Sequence, residues 1–166
     1  MSRRVAIITV STSVGPADLA AEHGIHVVPL YIRFGDEVLR DGVDIDAEGF
    51  FQRLTTDPHH PKSSQPTPAD FVEAFDKVRR ETGAEEIVVI TISTALSGTY
   101  ESAMAAKGQV DFPVHVLESH NVSMGETLIV LAAAEAAERG ASGAEVADVA
   151  RSLIPKIRLY FAVDTL

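Results

Sequence analysis

Short runs of apolar and β-branched residues alternate along the chain with segments in which apolar residues recur every three or four positions. This alternation is typical of parallel strands joined by crossover helices. We therefore predict an α/β fold in one domain, with a mostly parallel sheet and crossover helices on both faces. Strands are predicted at residues 5–10, 25–34, 86–92, 114–118 and 159–163, with a short pairing segment at 37–40 after a turn at Gly35 and Asp36.

Capping residues mark where several helices should begin. Thr67 is predicted to be an N-cap because Pro68 follows at the first helical position and Asp70 lies three residues after the cap. Asp46 and Ser142 are predicted to cap two further helices. The remaining helices are predicted at residues 17–23, 99–108 and 124–139, and the Pro-rich stretch 57–68 is predicted to be an ordered loop.

Apolar positions also predict the core. Residues 86–92 are so continuously apolar that both faces of this strand must be covered, which places it centrally in a parallel sheet. Phe71, Phe75 and Val78 should form the core face of the helix that Thr67 caps. Residues 159–166 end in a strand-like run without a polar tail, whereas chain termini are usually polar and frayed. We therefore expect a longer protein that continues beyond Leu166.

Composition and charge exclude several classes of function. The 166 residues include 14 Lys and Arg against 24 Asp and Glu, a formal net charge of −10. Because nucleic acids and anionic membranes are bound chiefly through Lys and Arg, neither is expected as a partner. The absence of cysteine excludes disulfides and thiolate catalysis. No apolar run approaches the roughly 20 residues of a membrane-spanning helix, and the start lacks a signal-peptide pattern. We expect no integral membrane segment and a cytoplasmic location.

Hydroxyl side chains follow the predicted strands at the point where each strand ends. In open parallel sheets the binding crevice lies outside the carboxyl ends of the strands, where the connecting loops meet. The candidate ligand-binding residues at these ends are Ser11, Ser93, Thr94, Ser97, Gly98, Thr99 and Ser123, and the loop 57–68 adds Ser63 and Ser64.

Hydroxyls beside helix N-termini suit a particular class of ligand. Helix N-termini offer unpaired N–H groups and a partial positive charge, and hydroxyls add donors that rotate to suit an oxygen atom. Gly98 would let the backbone approach the ligand closely. Together these groups can hold a carboxylate or a phosphate without a formal positive charge. The alternative is that these Ser and Thr residues only cap helices, which explains any single group of them better. Four groups at one edge of the sheet favour a ligand site instead, namely those at residues 11, 63–64, 93–99 and 123.

Catalytic and metal sites find little support in the sequence. A serine nucleophile would need a neighbouring base, and His120 is the only histidine next to one of these loops. The run 95–99 lacks the G-x-S-x-G elbow. The acidic string 41–46 does not fit a calcium loop, and neither a Walker A loop nor G-x-G-x-x-G occurs. We predict no catalytic residue, no metal and no cofactor.

Several segments resemble the motifs of the DegV family of fatty-acid-binding proteins, in the family's order and at its spacing. They are residues 27–30 (VVPL), 41–44 (DGVD), 61–66 (PKSSQP), 92–100 (ISTALSGTY) and 123–125 (SMG). The loop P-K-[ST]-S-Q-P and the segment I-S-[ST]-x-L-S-G-T-Y are specific to the family. The resemblance covers essentially the whole chain.

The resemblance implies a two-domain lipid carrier of which this chain is the N-terminal α/β domain. The carboxylate of a long-chain fatty acid would lie near the domain junction, and its acyl chain in a tunnel formed largely with a C-terminal domain after residue 166. The family's head-group ligands correspond to Ser63 and to Ser93 or Thr94, and its basic and histidine residues would lie beyond Leu166. Such a carrier presents the fatty acid to a separate fatty acid kinase and is not itself an enzyme.

The sequence departs from the family at the first loop, and other functions stay open. The loop usually reads T-D-S-T, but residues 9–12 read T-V-S-T, so the acidic side chain near the pocket is expected to be absent. Ser63 replaces the commoner threonine and keeps the hydroxyl. One alternative is a phosphotransfer component of the dihydroxyacetone-kinase type, which has a related fold but needs a covalent histidine or a nucleotide loop. Another is a cytoplasmic interaction domain without a small ligand.

Overall fold

The computed structural model describes residues 4–13, 15 and 18–162. The strands in these residues are β1 (Val5–Val10), β2 (Ile25–Val28), β3 (Tyr31–Phe34), β4 (Glu37–Arg40), β5 (Lys62–Ser64), β6 (Glu86–Thr91) and β7 (Val114–Glu118). The α-helices are α1 (Leu19–Glu22), α2 (Ala47–Thr56), α3 (Pro68–Thr82), α4 (Thr99–Lys107), α5 (Met124–Glu138) and α6 (Gly143–Leu153). A 3-10 helix, Ile154–Lys156, follows α6.

A parallel sheet of four strands forms the centre of the fold. Its order is β2-β1-β6-β7, and each neighbouring pair is parallel. Every residue of β1 is buried, and so is every residue of β6 after Glu86. The prediction that residues 86–92 form a central strand is confirmed, because β6 pairs with β1 on one side and β7 on the other.

Helices cover both faces of this sheet, as predicted. On one face, Ile7 of β1 and Ile90 of β6 belong to a core cluster with α5 and α6. On the other face, Ile8 and Val89 belong to a cluster with Phe71 and Phe75 of α3 and with α4. Successive strand residues point to opposite faces, so the unbroken apolar runs of β1 and β6 supply both clusters.

The predicted helix caps are present. The Thr67 side chain accepts from the Asp70 N–H, and the Asp70 carboxylate accepts from the Thr67 N–H, which completes a capping box. Ser142 and Glu145 make the same pair of bonds at the start of α6. Asp46 accepts from the N–H of Gly49 at the start of α2.

The predicted strand 25–34 is wrong, because it consists of two strands in different sheets. β2 ends at Val28 in the parallel sheet, and β3 begins at Tyr31 in a separate antiparallel sheet of order β4-β3-β5. Pro29 has no N–H to donate, so the pairing of β2 with β1 ends at Val28. The next residue, Leu30, donates to Ser11 Oγ and accepts from the Asp41 N–H, which fixes the change of direction.

The predicted loop 57–68 also contains a strand. β5 pairs antiparallel with β3, and Ser63 lies opposite Ile32. Its three residues are polar and exposed, as is usual for a short edge strand. The sequence pattern did not predict β5, because a strand with no buried face has no alternating apolar residues.

The predicted last strand and the predicted first helix differ from the structure. Residues 159–162 of the predicted last strand have no strand partner among the described residues, and Tyr160 and Phe161 are strongly exposed, so the prediction is wrong there. Residue 163 lies outside the described residues. The predicted first helix, 17–23, is observed as α1 from Leu19, and residue 17 also lies outside the described residues.

Candidate functional site

The order of the parallel strands places a crevice between β1 and β6. The chain leaves β1 toward β2 on one side and leaves β6 toward β7 on the other. The loops after β1 and β6 therefore diverge at the carboxyl edge of the sheet, which is the usual binding position in such sheets. Three of the predicted hydroxyl runs meet at this edge, since they directly follow β1, β6 and β7.

The loop after β6 places Ser93 and Thr94 against a carboxylate from the neighbouring strand. Glu118, the last residue of β7, accepts at Oε1 from the Thr94 N–H at 2.7 Å and from the Thr94 hydroxyl at 2.8 Å. Ser93 Oγ lies 3.5 Å from the same oxygen and accepts from the Ala95 N–H at 3.3 Å. Two hydroxyls predicted to bind a ligand are therefore engaged by an internal carboxylate.

These contacts hold Glu118 in its ionised form. Burial raises its pKa, but hydrogen bonds from Thr94, the charge of His120 and a hydrogen bond from Ser93 outweigh burial, so the pKa lies below its ordinary value. His120 Nδ1 lies 3.1 Å from Glu118 Oε1. The backbone of His120 has a φ of 52°, a conformation that residues other than glycine seldom adopt. Such strain is concentrated at functional sites in proteins.

The loop after β1 is fixed to α5 by a buried carboxyl group. The Glu126 side chain is 0% exposed, and its Oε2 accepts from Thr12 Oγ1 at 2.7 Å. Thr9 Oγ1 lies 3.4 Å from the other carboxyl oxygen, and the hydroxyls of Ser13 and Thr127 lie 3.0 Å apart. Burial raises the pKa of Glu126 to about 8, against the lowering effect of the hydrogen bonds from Thr12 and Thr9.

Glu126 brings to this loop a carboxyl group that the sequence analysis did not identify. Val10 stands where an aspartate is usual, so no acidic side chain was expected near the pocket, and the observed Val10 is fully buried in the core. The carboxyl group comes instead from α5, more than a hundred residues along the chain. No pattern in the sequence identifies it, because a glutamate in the first turn of a helix ordinarily faces solvent and interacts with the helix dipole.

Gly98 serves a contact between two loops. A Cβ at Gly98 would lie 2.6 Å from the Gln65 side-chain nitrogen, so any side chain there would displace Gln65. Gln65 Nε2 donates to the Gly98 carbonyl at 3.2 Å, which joins the segment that carries Ser63 to the loop that begins at Ser93. The close approach seen at Gly98 is to Gln65, and close approach of its backbone to a ligand stays a prediction.

The other predicted residues after the parallel strands have internal contacts. Ser97 Oγ and the side-chain oxygen of buried Thr99 lie 2.8 Å apart. Ser11 Oγ accepts from the Leu30 N–H at 3.0 Å. Ser123 precedes α5 with a φ of 55°, makes no side-chain cap bond and donates its N–H to the Thr12 carbonyl. These four residues shape the loops of the site.

Ser63 lines an apolar groove between α2 and the antiparallel sheet. The groove has a volume of about 430 Å³, within the range typical of ligand pockets. Its apolar lining includes Phe50 and Phe51 of α2, and its polar lining consists of Ser63, Lys62, Thr12 and Asp41. Ser64 is exposed beside Ser63 on β5 and pairs with Tyr31 of β3. We call this cavity the β5 groove.

Ser93 lines a second cavity of about 270 Å³. Its other polar lining includes His120 and Arg158, and its apolar lining comes mainly from the segment 154–161. Ser63 and Ser93 therefore do not line the same cavity, although the Gln65 contact makes their loops neighbours. Ser11 lines a third cavity of about 480 Å³, together with Thr9 and Ser13.

The described residues hold neither a cluster of metal ligands nor a helix suited to a membrane. In residues 4–13, 15 and 18–162, no three His, Asp or Glu side chains are grouped so that they could bind a metal ion. None of the helices in this part of the chain is long and apolar enough to cross a bilayer.

Comparison with known sequences relates the chain to one family. Residues 4–166 match a family model described as an uncharacterised protein of the DegV family. A DegV domain-containing protein from Streptomyces coelicolor is 37% identical over 167 residues, which cover 100% of this chain and 58% of that protein. The chain thus spans a little over half the length of this relative.

Comparison with solved structures also relates the chain to DegV proteins. A DegV family protein from Thermus thermophilus, described as binding fatty acid, is 33% identical with a TM-score of 0.81 over 92% of this chain and 54% of its own. The Streptococcus pneumoniae fatty acid kinase B3 protein, loaded with linoleic acid, is 26% identical with a TM-score of 0.73 over 91% of this chain and 54% of its own. Because the family model matches residues 4–166, and the motifs and the fold agree with it, the chain belongs to the DegV family.

Proposed function

We propose that this chain binds the carboxyl end of a long-chain fatty acid and, as part of a longer carrier, presents it to a fatty acid kinase. The observation that carries the proposal is the β5 groove, in which the Ser63 hydroxyl lies beside apolar side chains. Solved relatives support it, since one is described as fatty acid binding and another is a fatty acid kinase B3 protein loaded with linoleic acid.

The apolar lining of the β5 groove would supply most of the affinity. Burial of each methylene group contributes about 0.8 kcal/mol, so a few methylenes outweigh a single hydrogen bond from a hydroxyl. Leu30, Ile32, Phe50 and Phe51 offer the surface for such burial. Phe51 is 63% exposed, which leaves its ring free to cover an acyl chain.

The hydroxyls would chiefly orient the head group. Ser63 lies on β5, and Ser93 and Thr94 lie on the adjoining loop, which Gln65 joins to the same segment. We propose that the carboxyl group lies between these two loops, with the acyl chain leading into the β5 groove. A net charge of −10 does not attract an anion, so donors close to the head group must hold it.

We further propose that a C-terminal domain completes the site. The relatives are longer than this chain, which spans 58% of the Streptomyces coelicolor protein. The additional domain would close the acyl tunnel and supply the basic and histidine residues near the head group. Below, "full-length protein" means this chain joined to that domain. In this proposal the protein is a carrier, and the kinase performs the phosphorylation.

Replacing Ser63 and Ser93 together with alanine tests the head-group assignment. In the full-length protein we expect oleate binding to weaken by at least roughly tenfold, because hydrogen bonds to a charged group contribute about 1.5–3 kcal/mol each. Fluorescence titration measures the affinity, and acyl phosphate formation with the kinase measures handover. Ser152→Ala is the matched control, since Ser152 is exposed on α6 and donates only to the Val149 carbonyl of its own helix. Unchanged affinity and handover in the double variant would exclude these two serines.

A further inference from the structure

The Glu118 carboxylate takes the donors that an ionised head group would need. It accepts from both the N–H and the hydroxyl of Thr94 and lies within reach of the Ser93 hydroxyl. Its side chain is only 17% exposed, so water screens it weakly. A second carboxylate at these donors would bring two like charges within hydrogen-bond distance, and such a pair does not ionise fully at both groups.

We propose that Glu118 makes the head-group site selective for a carboxyl group that shares a proton with it. This inference rests on the proposed function, in which Ser93 and Thr94 receive the carboxyl end of a fatty acid. One proton held between Glu118 and the ligand forms a short O–H···O⁻ hydrogen bond and removes the repulsion. This proton comes from solution, and either the carboxyl ligand or Glu118 can hold it. A sulfonate cannot be protonated, so Glu118 alone would have to take the proton against the contacts that favour its ionised form, which selects against a sulfonate.

The other charged groups at this edge do not cancel the charge of Glu118 for a ligand. His120 Nδ1 already contacts Glu118 Oε1 at 3.1 Å and is 63% exposed to water. Arg158 lines the same cavity as Ser93, but it is exposed to water, and its Nη1 donates at 2.6 and 2.9 Å to two main-chain carbonyls of its own segment. We therefore expect the shared proton to relieve the repulsion between Glu118 and the carboxyl group of the ligand.

Dodecanoate and dodecane sulfonate, which have alkyl chains of similar length, test this selectivity. Their dissociation constants are measured at pH 6.5 with full-length wild type, Glu118→Gln and Glu86→Gln. Glu86 is the matched control, because it begins β6 and so lies at the end of the sheet away from Ser93. Like Glu118 it faces a histidine, since its Oε2 lies 3.2 Å from His115 Nε2. We expect wild type and Glu86→Gln to favour dodecanoate at least roughly tenfold. Glu118→Gln should lose most of that preference by binding the sulfonate more tightly.

The outcomes separate the inference from the function on which it rests. If wild type binds no dodecanoate, the proposed function is wrong. If wild type binds dodecanoate but does not discriminate, or Glu118→Gln keeps the wild-type preference, the role of Glu118 is wrong and the function stands.

A calorimetric measurement on wild type needs no variant. Titration with dodecanoate near pH 6 in two buffers of different ionisation heat should show net proton uptake on binding. Binding without proton uptake would overturn the shared proton.

Discussion

Replacing Glu126 with glutamine is expected to remove a large pH dependence from the stability of the chain. Burial raises the pKa of Glu126 from the usual 4.5 to about 8 in the folded state. Between these values the folded state binds more protons than the unfolded state, so the free energy of unfolding falls as the pH rises. The slope approaches roughly 1.4 kcal/mol for each pH unit. Below pH 4.5 the stabilisation that protonated Glu126 gives the folded state is fully present, and above the folded pKa of about 8 it is lost.

Urea unfolding of the 166-residue chain at pH 5, 6, 7 and 8 measures this effect. Glutamine does not titrate, so Glu126→Gln should resemble wild type at pH 5 and be more stable at pH 8. Glu135→Gln is the control, because Glu135 lies on the same helix with a largely exposed side chain that pairs with Arg139. Its difference from wild type should not change over the same range. Parallel stability curves for wild type and Glu126→Gln would show that Glu126 does not titrate in this window.

Replacing Phe51 with aspartate is expected to abolish most fatty acid binding without unfolding the protein. Phe51 lines the β5 groove and packs edge-on against Phe50, with ring centroids 5.6 Å apart. Because 63% of Phe51 is exposed, its replacement leaves the core intact. A carboxylate at this position would lose its hydration against a bound acyl chain, which is strongly unfavourable. We expect the affinity for oleate to fall by at least roughly a hundredfold, or about 2.7 kcal/mol.

Leu54→Asp provides the matched control for Phe51→Asp. Leu54 lies on α2 as well and is 41% exposed, but it does not line the β5 groove. Both variants add one negative charge to the same helix, so a general charge effect would weaken binding equally. Thermal unfolding of both variants reports whether α2 remains in place. Equal affinities for oleate in the two variants would exclude the β5 groove as the acyl site.

The sequence was sufficient to predict the elements that depend on local signals. The unbroken apolar run of β6 predicts a central strand because both faces of such a strand must be covered. The capping boxes at Thr67 and Ser142 predict where α3 and α6 begin, because each involves residues only three positions apart. The positions of the hydroxyls at the sheet edge follow in turn from the parallel arrangement of the strands.

The contacts that define the site could not be predicted, because they join residues far apart in the chain. Thr94 and Glu118 are 24 residues apart, and Thr12 and Glu126 are 114 apart. A motif shows that hydroxyls follow a strand, but it does not show which carboxylate their donors meet. β5 was missed for a related reason: its exposed polar residues have no apolar period, and only pairing with β3 makes it a strand.

Mass spectrometry of lipid extracted from the natively purified full-length protein decides whether the protein carries a fatty acid. We expect a long-chain fatty acid in the extract, at about one molecule per protein, and uptake of added oleate once the protein has been delipidated. The Phe51→Asp variant, purified in parallel, should carry much less. A wild-type protein that yields no fatty acid and takes up no oleate would show that it is not a fatty acid carrier.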